Sequence, residues 1–165
     1  MIASLEPRPE ARRVPAAVHG SLDLAELARR GLQPDQVLDF SVNVNPFGPS
    51  PLVSEALAHV PVDRYPDREC AALRRALAAH LSIAPEQIVV GNGTADLLWL
   101  LALAFLRAQD HVFVVGPTFG EYRRAAALMG AKSETWTAEA GTGFAVDPAL
   151  VDGALRRIRP RLAFL

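Results

Sequence analysis

The sequence predicts an α/β fold, a mostly parallel sheet with flanking helices, preceded by an irregular and mostly helical N-terminal segment. Three observations predict it. From residue 88 onward short β-branched runs alternate strictly with helical stretches, the rhythm of βαβ units. Two expected strand exits are turn-rich, Gly91-Asn92-Gly93-Thr94 and Gly116-Pro117-Thr118-Phe119, and ligands of such sheets bind beyond the carboxyl ends of the strands. Before residue 88 proline punctuates the chain and no such alternation exists.

Taken in order, residues 1–18 read as a loose lead-in: Pro7, Pro9 and Pro15 stand among Arg8, Arg12 and Arg13, with no apolar stretch of the kind a secretory signal needs. Residues 22–27 are apolar-periodic, Gly31-Leu32-Gln33-Pro34 breaks that pattern, and 37–42 reads as a short β-like run ending in the loop Asn43-Val44-Asn45-Pro46-Phe47-Gly48-Pro49. Helix signals cover 51–59 and 69–81, on either side of a proline-punctuated link at 61–67. Strands at 88–90, 112–115, 133–137 and 162–165 then alternate with helices at 94–106, 122–129 and 148–158. Three segments result: the lead-in 1–18, an N-terminal arm and helical segment 19–82, and the alternating strands and helices of 83–165.

A chain of 165 residues is about one domain, long enough to bury roughly 68–70% of its unfolded surface. Half of it is apolar and its formal net charge is −1, so no strong field draws nucleic acid or an anionic membrane. A small partner is expected. The longest apolar run, 97–106, is about half of what a membrane span requires and is expected to form a buried helix. The single Cys70 excludes an intramolecular disulfide framework, no His/Cys cluster has metal-ligand spacing, and a cytoplasmic location is expected.

The strand, glycine turn and helix over 88–106 put unpaired N–H groups at a helix N-terminus, where the dipole also favours an anion. The turn is either a phosphate cradle or an ordinary connection with Thr94 as N-cap. A dinucleotide fingerprint would need a third glycine where Asp96 stands, and a P-loop would need Gly-Lys-Ser/Thr. Phe119 is placed either to stack on a planar ligand or to pack in the core. Tyr65 and His19 lie in loops, Asn43 and Asn45 suit Asx turns, and Cys70 suits a small apolar filler.

Taken together, His19-Gly20, Leu38-Asp39-Phe40-Ser41-Val42-Asn43-Val44-Asn45-Pro46, Arg64-Tyr65-Pro66-Asp67, Gly91-Asn92-Gly93 and Pro117-Thr118-Phe119-Gly120-Glu121-Tyr122 resemble one family in order and spacing. From His19 to Leu165 the chain is similar to the N-terminal part of a fold-type I pyridoxal-phosphate enzyme of aminotransferase class I/II. Within that group it most resembles the threonine-phosphate decarboxylases of cobalamin biosynthesis. The Arg-Tyr-Pro-Asp and Gly-Asn-Gly elements are shared with histidinol-phosphate aminotransferases. His-Gly followed by Ser-x-Asn-x-Asn-Pro favours the decarboxylases.

The resemblance implies backbone donors to the phosphate of pyridoxal 5′-phosphate from Gly93, Thr94 and Ala95, and Phe119 stacked on the pyridine ring. It implies a homodimer in which Tyr65 reaches the partner's cofactor phosphate, and it sets His19 and Asn43 toward a phosphorylated amino-acid substrate. Ser21 stands where the family often has a second glycine, and Thr94-Ala95-Asp96 replaces a more acidic-polar run.

The resemblance also implies a Schiff-base lysine, a carboxylate for the pyridine nitrogen and a substrate-binding arginine, all beyond an Asn-Pro-x-x-Pro-Thr-Gly-like loop expected just after Leu165. Lys132, the one lysine, is expected at the wrong edge of the sheet. No catalytic residue is therefore expected within these residues. The strand at 88–90 would lack the neighbours that later strands supply in the family, the helix after it would lose burial, and the chain alone is expected to be inactive, poorly soluble and without covalent cofactor. For the complete enzyme the expected reaction is decarboxylation of L-threonine O-3-phosphate to aminopropanol phosphate. The alternatives are a transaminase akin to histidinol-phosphate aminotransferase and, from another class, a stand-alone phosphate- or nucleotide-binding module.

Overall fold

The computed structural model describes residues 6–17 and 20–165. They form two compact units, residues 1–17 with 90–165 and residues 18–89, and each is described by itself.

In the first unit, α1 (Pro9–Arg13) is a short helix started by proline at its first position, where the missing N–H costs nothing. It lies along α6 (Glu121–Leu128), and Arg8 Nη2 donates to the Leu128 carbonyl at 3.2 Å. The lead-in is thus partly structured. After α5 (Gly93–Phe105), three strands follow: β1 (His111–Gly116), β2 (Lys132–Thr137) and β3 (Leu162–Phe164), with α7 (Pro148–Ile158) between the last two. The sheet is parallel in the order β2-β1-β3, with His111 opposite Lys132, Gly116 opposite Thr137, and Val112 opposite Leu162.

The chain steps outward from β1 to β2 and then back across β1 to β3. Right-handed crossovers therefore put α6 and α7 on opposite faces. Both faces of β1 are covered, which is why Val112, Phe113 and Val114 are all buried and why the strand reads as a continuous apolar run. Val112 and Val114 join Ala102 and Leu106 of the α5 region and Ala125 and Ala126 of α6 in one cluster, with Trp99, Tyr122 and Met129 packed against it. Full burial of each valine contributes about 1.5–3 kcal/mol. At the outer edge, β2 carries Lys132 and Glu134, and Glu134 pairs with Arg157 of α7, charges that discourage further strand pairing.

Two expectations are corrected. Residues 88–90 form no strand and belong to no ladder among the described residues, as the expected want of neighbours implies. The apolar run 97–106 is not a wholly buried helix. Leu98, Ala102 and Leu106 face the core while Leu100, Leu101, Leu103 and Phe105 are exposed, because α5 has one packed side only.

The second unit is built from α2 (Leu24–Arg30), α3 (Pro51–Ala58) and α4 (Ala71–Leu81), joined by loops and two single turns, Pro34–Gln36 and Pro85–Gln87. Asp23 caps α2 by accepting the Glu26 N–H at 2.9 Å. Arg74 ties α4 to the following turn through two hydrogen bonds to the Pro85 carbonyl, 3.1 and 2.8 Å long. The β-like run 37–42 is corrected here: it forms no strand. Asp39 Oδ1 accepts both the N–H and the hydroxyl of Ser41, at 2.7 and 2.6 Å, a local arrangement that competes with a ladder.

Candidate functional site

The glycine turn enters α5 through an inverse γ-turn. Asn92 has φ −79° and ψ 67°, the values of that turn, and the Gly93 N–H donates to the Gly91 carbonyl at 2.9 Å. Gly93 follows with φ +80°, a conformation that glycine adopts without strain. The Asp96 carboxylate folds back onto the turn and accepts the Asn92 N–H at 2.9 Å. Of the donors at this helix start, Asn92 and Gly93 are thus engaged internally. Thr94 and Ala95 keep backbone N–H groups with no acceptor among the described residues. They point where the dipole favours an anion.

Direction decides where this turn lies. Arg161, just before β3, donates to the Phe105 carbonyl at 3.2 Å and to the His111 carbonyl through its own N–H at 2.7 Å. The last residue of α5 is thereby at the amino edge of the sheet, and its first turn lies toward the carboxyl edge, where β1 also ends. There the chain leaves through the cis bond Gly116–Pro117 into Phe119. The Phe119 ring meets Tyr122 edge-on with centroids 5.9 Å apart, and Tyr122 stacks on Phe164 of β3 at 4.5 Å. This aromatic chain anchors Phe119 while leaving it 38% exposed, so a flat ligand has ring surface to cover. A cavity of about 380 Å³ opens nearby between Gly116, Thr118 and Leu165. None of the residues expected to bind a ligand lines it.

Glu121, which opens α6 directly after this loop, is 2% exposed. Its Oε2 accepts the Trp99 indole N–H and its Oε1 accepts from Arg124 Nη1, both at 3.1 Å. The Arg124 guanidinium also lies 5.7 Å from the Trp99 ring centroid, within cation–π range. Neither Glu121 nor Asp96 was singled out from the sequence as chemically engaged. The only available signal was a carboxylate one or two residues past each loop.

Asn43 and Tyr65 belong to the unit of residues 18–89. Asn45 is spent on its turn, accepting the Phe47 N–H at 3.0 Å and donating to the Gly48 carbonyl at 2.9 Å. Asn43 is exposed, with no hydrogen-bond partner among the described residues. Tyr65 is 97% exposed. Two residues on, Asp67 accepts the N–H groups of Glu69 and Ala71 at 3.0 and 2.7 Å, which fixes the loop to the start of α4 and holds the Asp67 carboxyl below its usual range. His19 lies outside the described residues. Its neighbour Gly20 is pressed onto the loop of Asn43, since a Cβ there would lie 1.7 Å from the Ser41 carbonyl oxygen.

Lys132 begins β2, at the amino edge of the sheet, opposite to Phe119. Among the described residues no group of three or more His, Cys, Asp or Glu could hold a metal, and no helix is long and apolar enough to cross a membrane.

Residues 35–163 match the family described as aminotransferase class I and II. The chain is 40% identical over 66% of its length to a histidinol-phosphate aminotransferase of Moorella thermoacetica, of which it covers 28%. It is 33% identical over 74% of its length to a threonine-phosphate decarboxylase of Salmonella typhimurium, covering 34% of that protein. The chain thus spans about a third of the length of these curated relatives. Its fold is that of a histidinol-phosphate aminotransferase from Sinorhizobium meliloti solved with pyridoxal-5′-phosphate, with a TM-score of 0.78 at 23% identity over 98% of this chain and 43% of that one. With more than half of its residues matched, the chain belongs to the aminotransferase class I and II family.

Proposed function

We propose that this chain supplies the phosphate- and ring-binding part of a pyridoxal-phosphate enzyme that decarboxylates L-threonine O-3-phosphate to aminopropanol phosphate. Pyridoxal phosphate is the cofactor of the family, and the residues present fit its two ends: open N–H groups on Thr94 and Ala95 suit the phosphate, and the half-exposed Phe119 ring suits the pyridine. The observation that carries the reading is this pairing of an open helix start with an anchored aromatic ring. When bound, the cofactor draws electrons from a bond at the substrate's Cα, so that either the carboxylate or a proton can leave.

The role of this chain's residues is to hold and orient. Thr94 and Ala95 donate to the phosphate, Gly93 shapes the turn that aims them, and Phe119 fixes the plane of the ring. Tyr65, fully exposed in its loop, is available to the cofactor phosphate of a partner in a homodimer. His19 and Asn43 face the phosphate and carboxylate of the substrate. Gly20 supports that pairing, because its missing side chain lets it lie against the Ser41 carbonyl in the loop that carries Asn43. Lys132 is not the lysine that carries the cofactor.

The phosphate site is tested by Thr94→Pro. Proline is tolerated in the first turn of a helix and removes one donor. We expect it to weaken pyridoxamine 5′-phosphate binding about tenfold, the loss of one hydrogen bond to a charged group, with far-UV circular dichroism unchanged. Equal affinity for the parent and the variant excludes the turn as the phosphate site. The reaction is tested in the enzyme encoded by the whole coding region. Release of carbon dioxide from threonine phosphate supports the decarboxylase. Transamination of histidinol phosphate with a keto acid instead supports the second reading, which the 40% identity to a histidinol-phosphate aminotransferase favours.

A further inference from the structure

We propose that Glu121 is a positioning residue that sets the separation between the open N–H groups of Thr94 and Ala95 and the Phe119 ring. This inference rests on the pyridoxal-phosphate reading above.

The placement of the carboxylate carries the argument. Glu121 is the first residue of α6, two beyond Phe119, and it is buried. One oxygen holds Trp99, six residues into α5 from Gly93, and the other holds Arg124, whose guanidinium lies against the same indole. Trp99, Glu121 and Arg124 close a triangle that joins the first turn of α6 to the middle of α5. Six residues of helix rise by about 9 Å, too short a span to bend freely, so fixing Trp99 fixes the Thr94 and Ala95 donors as well. Fixing Glu121 fixes Phe119 from the other side, with Tyr122 and Phe164 holding the ring behind.

Stability alone does not account for a carboxylate here. A buried ion pair is often no more stabilising than apolar residues of the same volume, and the neighbouring cluster of Ala102, Leu106, Ala125 and Ala126 shows what apolar packing supplies at this interface. Arg124 Nε is buried without a hydrogen-bond partner among the described residues, so the group is not optimised as an ion-pair network. What the carboxylate adds is direction: among the described residues, its hydrogen bonds to Trp99 and Arg124 have a defined geometry that allows one register of α5 against α6. A ligand with a phosphate and a ring at fixed separation needs that register, whereas a bare phosphate does not.

The test uses the 165-residue chain with Glu121→Gln, Trp99→Phe and the double variant, probed with pyridoxamine 5′-phosphate and with inorganic phosphate. Each single variant is expected to raise the Kd for pyridoxamine 5′-phosphate about tenfold and the Kd for inorganic phosphate less than about twofold. The double variant is expected to lose little more than either alone. In the ligand-free chain, hydrogen exchange of the peptide spanning 91–98 should quicken in Glu121→Gln. Parallel loss of both ligands marks a merely structural role and overturns the proposal. So does an unchanged Kd for pyridoxamine 5′-phosphate, or unchanged exchange at 91–98. If the parent chain binds inorganic phosphate but discriminates nothing in favour of pyridoxamine 5′-phosphate, the cofactor reading fails with it. Binding by the parent that is insensitive to the variants sinks the positioning role alone.

Discussion

A methyl group at position 20 would sit 1.7 Å from the Ser41 carbonyl oxygen, a distance no packing adjustment of a side chain can absorb because both partners are backbone. Gly20→Ala is therefore expected to push the 39–43 loop away and speed its hydrogen exchange, with exchange in β1 unchanged. The Glu121 carboxylate makes the opposite kind of demand. Glu121→Ala leaves the Trp99 indole N–H and the Arg124 guanidinium without their acceptor. Arg124 is one-third exposed, so water recovers part of the loss, and we expect about 2–3 kcal/mol of destabilisation in urea unfolding. Neither demand was legible in the sequence. A glycine after a histidine and a glutamate at a helix start look like ordinary loop and cap residues, and only the partner 21 or 22 positions away gives them meaning.

At the level of elements, the sequence was informative where a segment's own pattern matched its surroundings. β1 is central and buried on both faces, so its run of valines and phenylalanine sufficed. The segments 37–42 and 88–90 also contain β-branched residues, yet neither forms a ladder among the described residues, because strand propensity measures fit to a neighbouring strand more than any intrinsic preference. Helix α4 offers a test of a local device. Asp67 accepts two N–H groups at its start, chiefly that of Ala71 and next that of Glu69, and its pKa is lowered from the ordinary 3.8. A lowered value in the folded chain means that the contribution is complete above the ordinary pKa and is lost as pH falls through the lowered one. Amide protection of α4 should thus be flat above about pH 4 and decline below it, and Asp67→Asn should abolish that dependence.

Across the whole molecule the conspicuous property is uncovered apolar surface. The outward side of α5 shows Leu100, Leu101, Leu103 and Phe105, apolar side chains clustered on one helix face, the kind of surface that favours association. The chain is expected to self-associate at concentrations of about 10 μM and above, as measured by light scattering, and Leu103→Lys with Phe105→Lys should raise that threshold, since added charge opposes association. A persistently monomeric parent chain would contradict the expectation. The resemblance pointed to the open turn and the aromatic ring, and both lie toward the carboxyl edge of the sheet. The internal occupation of the Asn92 and Gly93 donors was not legible, since it depends on turn geometry.

The isolation of Lys132 has a practical side. With sixteen arginines and one lysine, the chain offers aldehydes only two primary amines, its α-amine and a side chain at the amino edge of the sheet. Any phosphopyridoxyl label that remains after borohydride treatment of this chain reports chemistry at those amines and says nothing about the turn at Gly93. Lys132→Arg should remove the side-chain adduct, visible by mass spectrometry, while leaving reversible binding of pyridoxamine 5′-phosphate intact. The same scarcity makes Lys132 the one side-chain amine for attaching a probe, at the edge of the sheet opposite to Phe119.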